Sequence, residues 1–129
     1  MHWILLLLLA CLTEAAEPPR VLIVHSFGRD FAPFCDVADS FRAEFSRLHP
    51  GPYRMMDASL ETAGLDREGN NGALVSYLAA VHREQPPDLV VPVGAPAARF
   101  CLGHRDAIFP KASLLMLGID ERRFEGLVG

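Results

Sequence analysis

The sequence predicts an α/β chain built on a parallel sheet, and three observations predict it. Short apolar, β-branched runs alternate with segments of helical period, and clusters of Pro and Gly separate them. The first run, Arg20–Ser26, follows Pro18-Pro19 and shows no apolar/polar alternation, which suits a strand covered on both faces. Phe27–Pro33 reads as a loop containing Gly28. From Phe34 the apolar residues Phe34, Val37, Ala38, Phe41, Phe45 and Leu48 fall three and four apart, along one helical face, and His49-Pro50-Gly51-Pro52 stops the helix.

Tyr53–Ala58 is a second, weaker strand, and Ser59–Asn71 a loop containing Gly64, Gly69 and Asn70. A second helix is expected over Gly72–Glu84, with an Asn cap and with Leu74, Leu78 and Val81 facing inward; Gln85-Pro86-Pro87 ends it. Asp88–Gly94 is the third strand, in which Pro92 removes a ladder donor and predicts a bulge or a locally unpaired position. Pro96 suits the first position of a short helix, Ala97–His104. Ser113–Ile119 is the fourth strand, ending at Asp120. The order βαβαβαβ with right-handed crossovers gives a Rossmann-like or flavodoxin-like sheet, strand order 2-1-3-4, in a single lobe. In that order the first helix covers one face alone, so part of the sheet is expected to be exposed there.

Composition narrows the function. With 129 residues, 50% hydrophobic, 12 basic and 16 acidic side chains and a net charge of −4, the chain has the composition of one globular domain without a basic footprint for nucleic acid. The excess of apolar residues lies at the start. Trp3–Leu12 is an unbroken apolar run, shorter than the roughly 20 residues a bilayer span needs, and Thr13-Glu14-Ala15-Ala16 supplies small residues for cleavage. Residues 1–16 therefore read as a signal peptide and 17–129 as the lobe, although Met1-His2 lacks the usual positive charge. Leu8-Leu9-Ala10-Cys11 offers a second reading, a lipobox that makes Cys11 a lipid-anchored first residue. The expected location is exported, periplasmic or membrane-anchored.

In this architecture ligands approach the carboxyl ends of the strands. The residues there are Ser26, Phe27, Gly28, Arg29 and Asp30 after strand one, Asp57 and Ser59 after strand two, Gly94, Ala95 and Pro96 after strand three, and Asp120 after strand four. Helix amides near Ala95 and Ala97 are candidate donors to an anion. Gly28 and Gly94 are isolated, so no dinucleotide or Walker loop exists, and no cofactor is expected. His25 and Ser26 are consecutive on a strand, point to opposite faces and do not pair as base and nucleophile. His25 reads as a packed strand residue; His49, His82 and His104 read as solvated or capping, without metal-ligand spacing, so no metal is expected. Cys35 and Cys101 read as small buried residues on helices across opposite faces of the sheet, hence as free thiols.

Three blocks, Val21–Phe34, Ser59–Ala63 and Pro87–Phe100, resemble the N-terminal extracytoplasmic region of proteobacterial sensor histidine kinases, which is similar to ABC-transporter substrate-binding proteins of the periplasmic binding protein type. The likeness covers residues 20 to 124, including Asp120-Glu121-Arg122-Arg123. It implies two Rossmann-like lobes clamping a small molecule, of which this chain supplies one. It also implies a missing second lobe, or a membrane-bound kinase or permease, as partner. The expected function is an extracytoplasmic small-molecule-binding lobe of a histidine kinase or of an ABC-type binding protein, without catalysis in this chain. The ligand-lining candidates are Ser26, Phe27, Arg29, Ser59, Gly94, Ala95 and Asp120, with Arg29 placed to pair an anionic ligand. The alternative is a small exported α/β enzyme of unknown chemistry.

Overall fold

The computed structural model describes residues 17–60, 71–120 and 122. The expected signal peptide with Cys11, the loop after the second strand with its glycines, and Glu121 and Arg123 lie outside the described residues, as does the side chain of Asn71. The elements are β1 (Arg20–His25), α1 (Phe34–Leu48), β2 (Arg54–Ser59), α2 (Asn71–His82), β3 (Leu89–Val93), α3 (Ala95–Gly103), a single turn α4 (Arg105–Ile108) and β4 (Ser113–Leu114). The four strands form one all-parallel sheet in the order β2-β1-β3-β4, the predicted Rossmann-like arrangement.

The unbroken apolar run of β1 is buried on both faces: Val21, Leu22, Ile23 and Val24 are each at most 1% exposed. Alternate strand residues feed two cores. Val21, Ile23, Val91 and Val93 pack with Ala38, Phe34, Phe41 and Phe45 of α1. Leu22, Val24 and Val90 pack on the other face with Leu78 of α2, Ala97, Phe100 and Cys101 of α3, and Phe109. Cys35 on α1 and Cys101 on α3 thus belong to opposite sides of the sheet, and both are free thiols.

The lower end of the sheet is pinned by Asp88. Its carboxylate accepts the Arg20 N–H at 2.8 Å, while its own N–H donates to the Arg20 carbonyl at 2.8 Å.

Several expectations need correction. The fourth strand is regular only over Ser113–Leu114, with an isolated bridge from Val93 to Leu117. Pro92 is the cause. Its carbonyl accepts from the Leu117 N–H at 2.9 Å, so its ring nitrogen also faces β4, where it has no proton to donate, and the ladder lapses between Leu114 and Leu117. The second helix starts at Asn71 and ends at His82, two residues before Glu84. Leu48 and Val81, expected on the inner faces of their helices, are 65% and 48% exposed: Leu48 is the last residue of α1, and Val81 faces the groove between α2 and β2. The turn α4 was not anticipated; Ile108 and the following Phe109 bury themselves against the α2–α3 side. The single-helix face was expected to leave sheet exposed. Its central residues are instead covered by the large rings of α1, and the open apolar surface lies on the other face, between α2 and the edge strand β2.

Candidate functional site

Ser26 follows β1 and is only 7% exposed. Its hydroxyl donates to the Val93 carbonyl at 2.7 Å and accepts the Ala97 N–H at 2.9 Å. One side chain thereby ties the end of β1 to the end of β3 and caps α3 from a distant part of the chain. Gly94 completes the joint. Its φ of +90° lies in the region that favours glycine, and a Cβ there would stand 2.7 Å from Ser26 Oγ. Gly118, at φ +66°, likewise lets the Phe34 ring come within 3.2 Å of where its Cβ would be. Phe34 therefore fills the space beside Gly94 and Gly118, and the Phe27 and Phe31 rings cluster with it at centroid distances of 4.9 to 6.4 Å.

This packing takes up the Ala97 amide expected as an anion donor at the start of α3. Ala95, Ala97 and Ala98 are buried, Pro96 has no N–H, the Ala97 N–H is held by Ser26, and the Ala98 N–H donates to the Gly94 carbonyl at 3.1 Å. Ser26, Gly94 and Ala95 do come together at the carboxyl ends of β1 and β3, but they form a closed structural joint. Phe27 stands beside it in the aromatic cluster. Asp120 is exposed and accepts the Arg122 N–H at 3.1 Å, a local turn contact.

The remaining two candidates, Arg29 and Ser59, lie at an open groove of about 850 Å³ between α2 and β2. That volume falls within the several-hundred to roughly 1,000 Å³ typical of small-molecule sites. Leu22, Met56, Ala58, Leu74, Tyr77 and Val81 supply much of its apolar wall. The opening follows from topology: α2 crosses from β2 back to β3, packing on α4 and the inner strands, and among the described residues it leaves the Met56 side of the edge strand open. Tyr77, 62% exposed, and Val81 thus face the groove from the α2 surface that also carries Leu74 and Leu78.

At the carboxyl ends of β1 and β2 the groove turns polar. The His25 ring is 3% exposed, and its Nε2 lies 2.8 Å from Asp57 Oδ1. An ionised carboxylate only accepts, so Nε2 carries the proton. The same oxygen receives the Arg42 guanidinium from α1, whose Nε is 3.6 Å from Asp39. Burial pushes the Asp57 carboxyl up, but Arg42, His25 and the charge of Arg29 together outweigh it and hold the group below its ordinary range. The Ser59 hydroxyl donates to the Phe27 carbonyl at 2.9 Å, so its proton is committed there and not to the His25 ring.

His25 is therefore the packed strand residue expected from the sequence, with a carboxylate partner that the sequence reading did not assign. Position after strand two marks Asp57 without naming its partners. The Asp57–Arg42 pair spans fifteen residues and has no local signature. A usable signal existed in the strand order, because parallel pairing of β1 with β2 places Asp57 opposite Ile23 and two residues below the register of His25.

At the far end of the groove His82 is 5% exposed, not solvated as expected. Its ring packs near Phe109, and burial lowers its pKa against a hydrogen bond to the Gln85 backbone. Among the described residues no cluster of metal-ligating side chains occurs, and no helix is long and apolar enough to cross a membrane. No protein family, no characterised protein and no solved structure matches the chain.

Proposed function

We propose that this chain is a small-molecule-binding lobe of the exported sensor or solute-binding type, as in the extracytoplasmic part of a histidine kinase or an ABC-type binding protein. The observation that carries the reading is the groove of about 850 Å³ between α2 and β2, apolar along its length and polar where it reaches the carboxyl ends of β1 and β2. The wall residues are Arg29 and Ser59 from the carboxyl ends, joined by Met56, Leu74, Tyr77 and Val81. Ser26, Gly94 and Ala95 support that wall from behind by fixing the ends of β1 and β3. Binding suits the site better than catalysis, since Ser59, the register neighbour of His25, directs its hydroxyl proton to the Phe27 carbonyl and not to the His25 ring.

The test is the melting temperature of the 129-residue protein across a panel of amino acids, small carboxylates, sugars and aromatic acids. A ligand at about 100 times its Kd adds about 2.7 kcal/mol, a shift of several degrees for a domain of this size. At least one solute class raises the melting temperature saturably, and Val81→Asp in the groove reduces that rise. A panel with no saturable shift contradicts the reading.

A further inference from the structure

We infer, resting on the binding reading above, that the groove takes an amphipathic monoanion: an anionic head such as a carboxylate at Arg29, and an aliphatic or aromatic tail lying along α2 and β2. Two features of the lining lead to this class. The first is the division of the groove by chemistry. A right-handed crossover sets α2 antiparallel to the strands, so its first turns, with Ala73 and Leu74, stand near Arg29 and Ser59, while Val81 and His82 stand at the opposite end. Between the two ends the wall is Met56, Leu78 and Tyr77. His82 adds no charge at the tail end, since burial disfavours its protonated form.

The second feature is which polar groups at the head end remain uncommitted. Asp57 Oδ1 is bound by Arg42 and His25, and the Ser59 hydroxyl donates to the Phe27 carbonyl. Arg29 is exposed and, among the described residues, makes no ion pair. The lining at the head end holds the Arg29 guanidinium and the Asp57 carboxylate, and that carboxylate is already bound by Arg42 from α1, so the Arg29 charge is left without a close partner there. A solute with an anionic head satisfies Arg29, and its tail removes the exposed Tyr77 and Val81 surface from water. A purely polar anion leaves that surface wet, and a neutral lipid leaves Arg29 without its partner.

Calorimetry on the 129-residue protein with octanoate, 1-octanol and acetate as probes tests this. Octanoate is expected to bind about tenfold more tightly than 1-octanol, with acetate silent. Arg29→Gln, an exposed loop change, lowers octanoate affinity about tenfold and leaves 1-octanol unchanged; Val81→Asp weakens both. Equal affinities for octanoate and 1-octanol, or an Arg29→Gln variant that binds octanoate normally, overturn the assignment of an anionic head. If the three probes are silent while another solute raises the melting temperature, the ligand class is wrong and the binding reading stands. If no solute of any class binds, both fail.

Discussion

Replacing Ser26 by Ala tests the joint that closes the upper end of the sheet. The hydroxyl makes two buried hydrogen bonds, 2.7 Å to the Val93 carbonyl and 2.9 Å from the Ala97 N–H. Their losses are unequal. The Val93 carbonyl keeps the Ser26 backbone N–H at 3.2 Å, so it stays satisfied. The Ala97 N–H does not: Ala97 is fully buried, and its donor is left without a partner or water. An orphaned buried donor costs about 1–3 kcal/mol, and loss of a helix cap about 0.5–2 kcal/mol for the same bond, so the expected destabilisation is about 2 kcal/mol. With a urea m-value of about 2 kcal/mol/M, the unfolding midpoint falls by about 1 M at unchanged m. Ser40→Ala is the control, because its hydroxyl donates to the Asp36 carbonyl on an exposed helix surface, and its removal is expected to stay within about 0.5 kcal/mol. Equal midpoints for Ser26→Ala and Ser40→Ala would refute the claim that Ser26 is a structural cap.

Three further outcomes are expected. Gly94→Ala destabilises by about 2 kcal/mol or more, through its +90° φ and the 2.7 Å approach of the new Cβ to Ser26 Oγ; the double variant with Ser26→Ala costs less than the sum, and simple additivity in urea melts contradicts the contact. Asp57 is held below its ordinary value of 3.8 in the folded protein, so its contribution is complete above that pH and is lost as pH falls through the folded value; Asp57→Asn should flatten the stability profile below about pH 3.8, and an unchanged acid limb counts against the network. Burial pushes the Cys101 thiol up to about 12, so in a Cys11→Ser background a thiol reagent should label Cys35 in the native protein and Cys101 only after unfolding; no labelling of either after unfolding without reductant would reveal a disulfide.

Legibility of the fold in the sequence tracked how local the controlling forces were. The run Val21–Val24 and the three- and four-residue steps of Phe34, Ala38, Phe41 and Phe45 are local signals, and β1 and α1 lie where those signals put them. The strand order came with the Rossmann-like fold class, and connection handedness then put α1 on one face and α2 and α3 on the other. What failed was set by neighbours distant in sequence. The unpaired position expected at Pro92 is there, but its cost falls on the partner strand β4, which the apolar run Ser113–Ile119 does not reveal. Val81 has the right helical spacing to be inward, yet it faces a groove because α2 does not reach over β2.

The candidate residues divided in the same way. Position after a strand correctly brought Ser26, Gly94 and Ala95 together, but only side-chain geometry shows that their polar groups are spent on one another. Arg29 and Ser59 lie at the groove, whereas its apolar wall comes from residues chosen by periodicity as core. Phe34 was legible as the first apolar residue of its helix; that its ring packs against Gly94 and Gly118 depends on the positive φ of those two glycines.

The most direct test of the groove as the binding site is amide chemical-shift mapping of the protein with whichever solute stabilises it most. The expected result is saturable shifts at Arg29, Ala58, Ser59 and along Leu74–His82, with Ala95–Ala98 unmoved. Shifts confined to Ala95–Ala98 and the Phe31–Phe34 segment, with the α2–β2 groove silent, would contradict it.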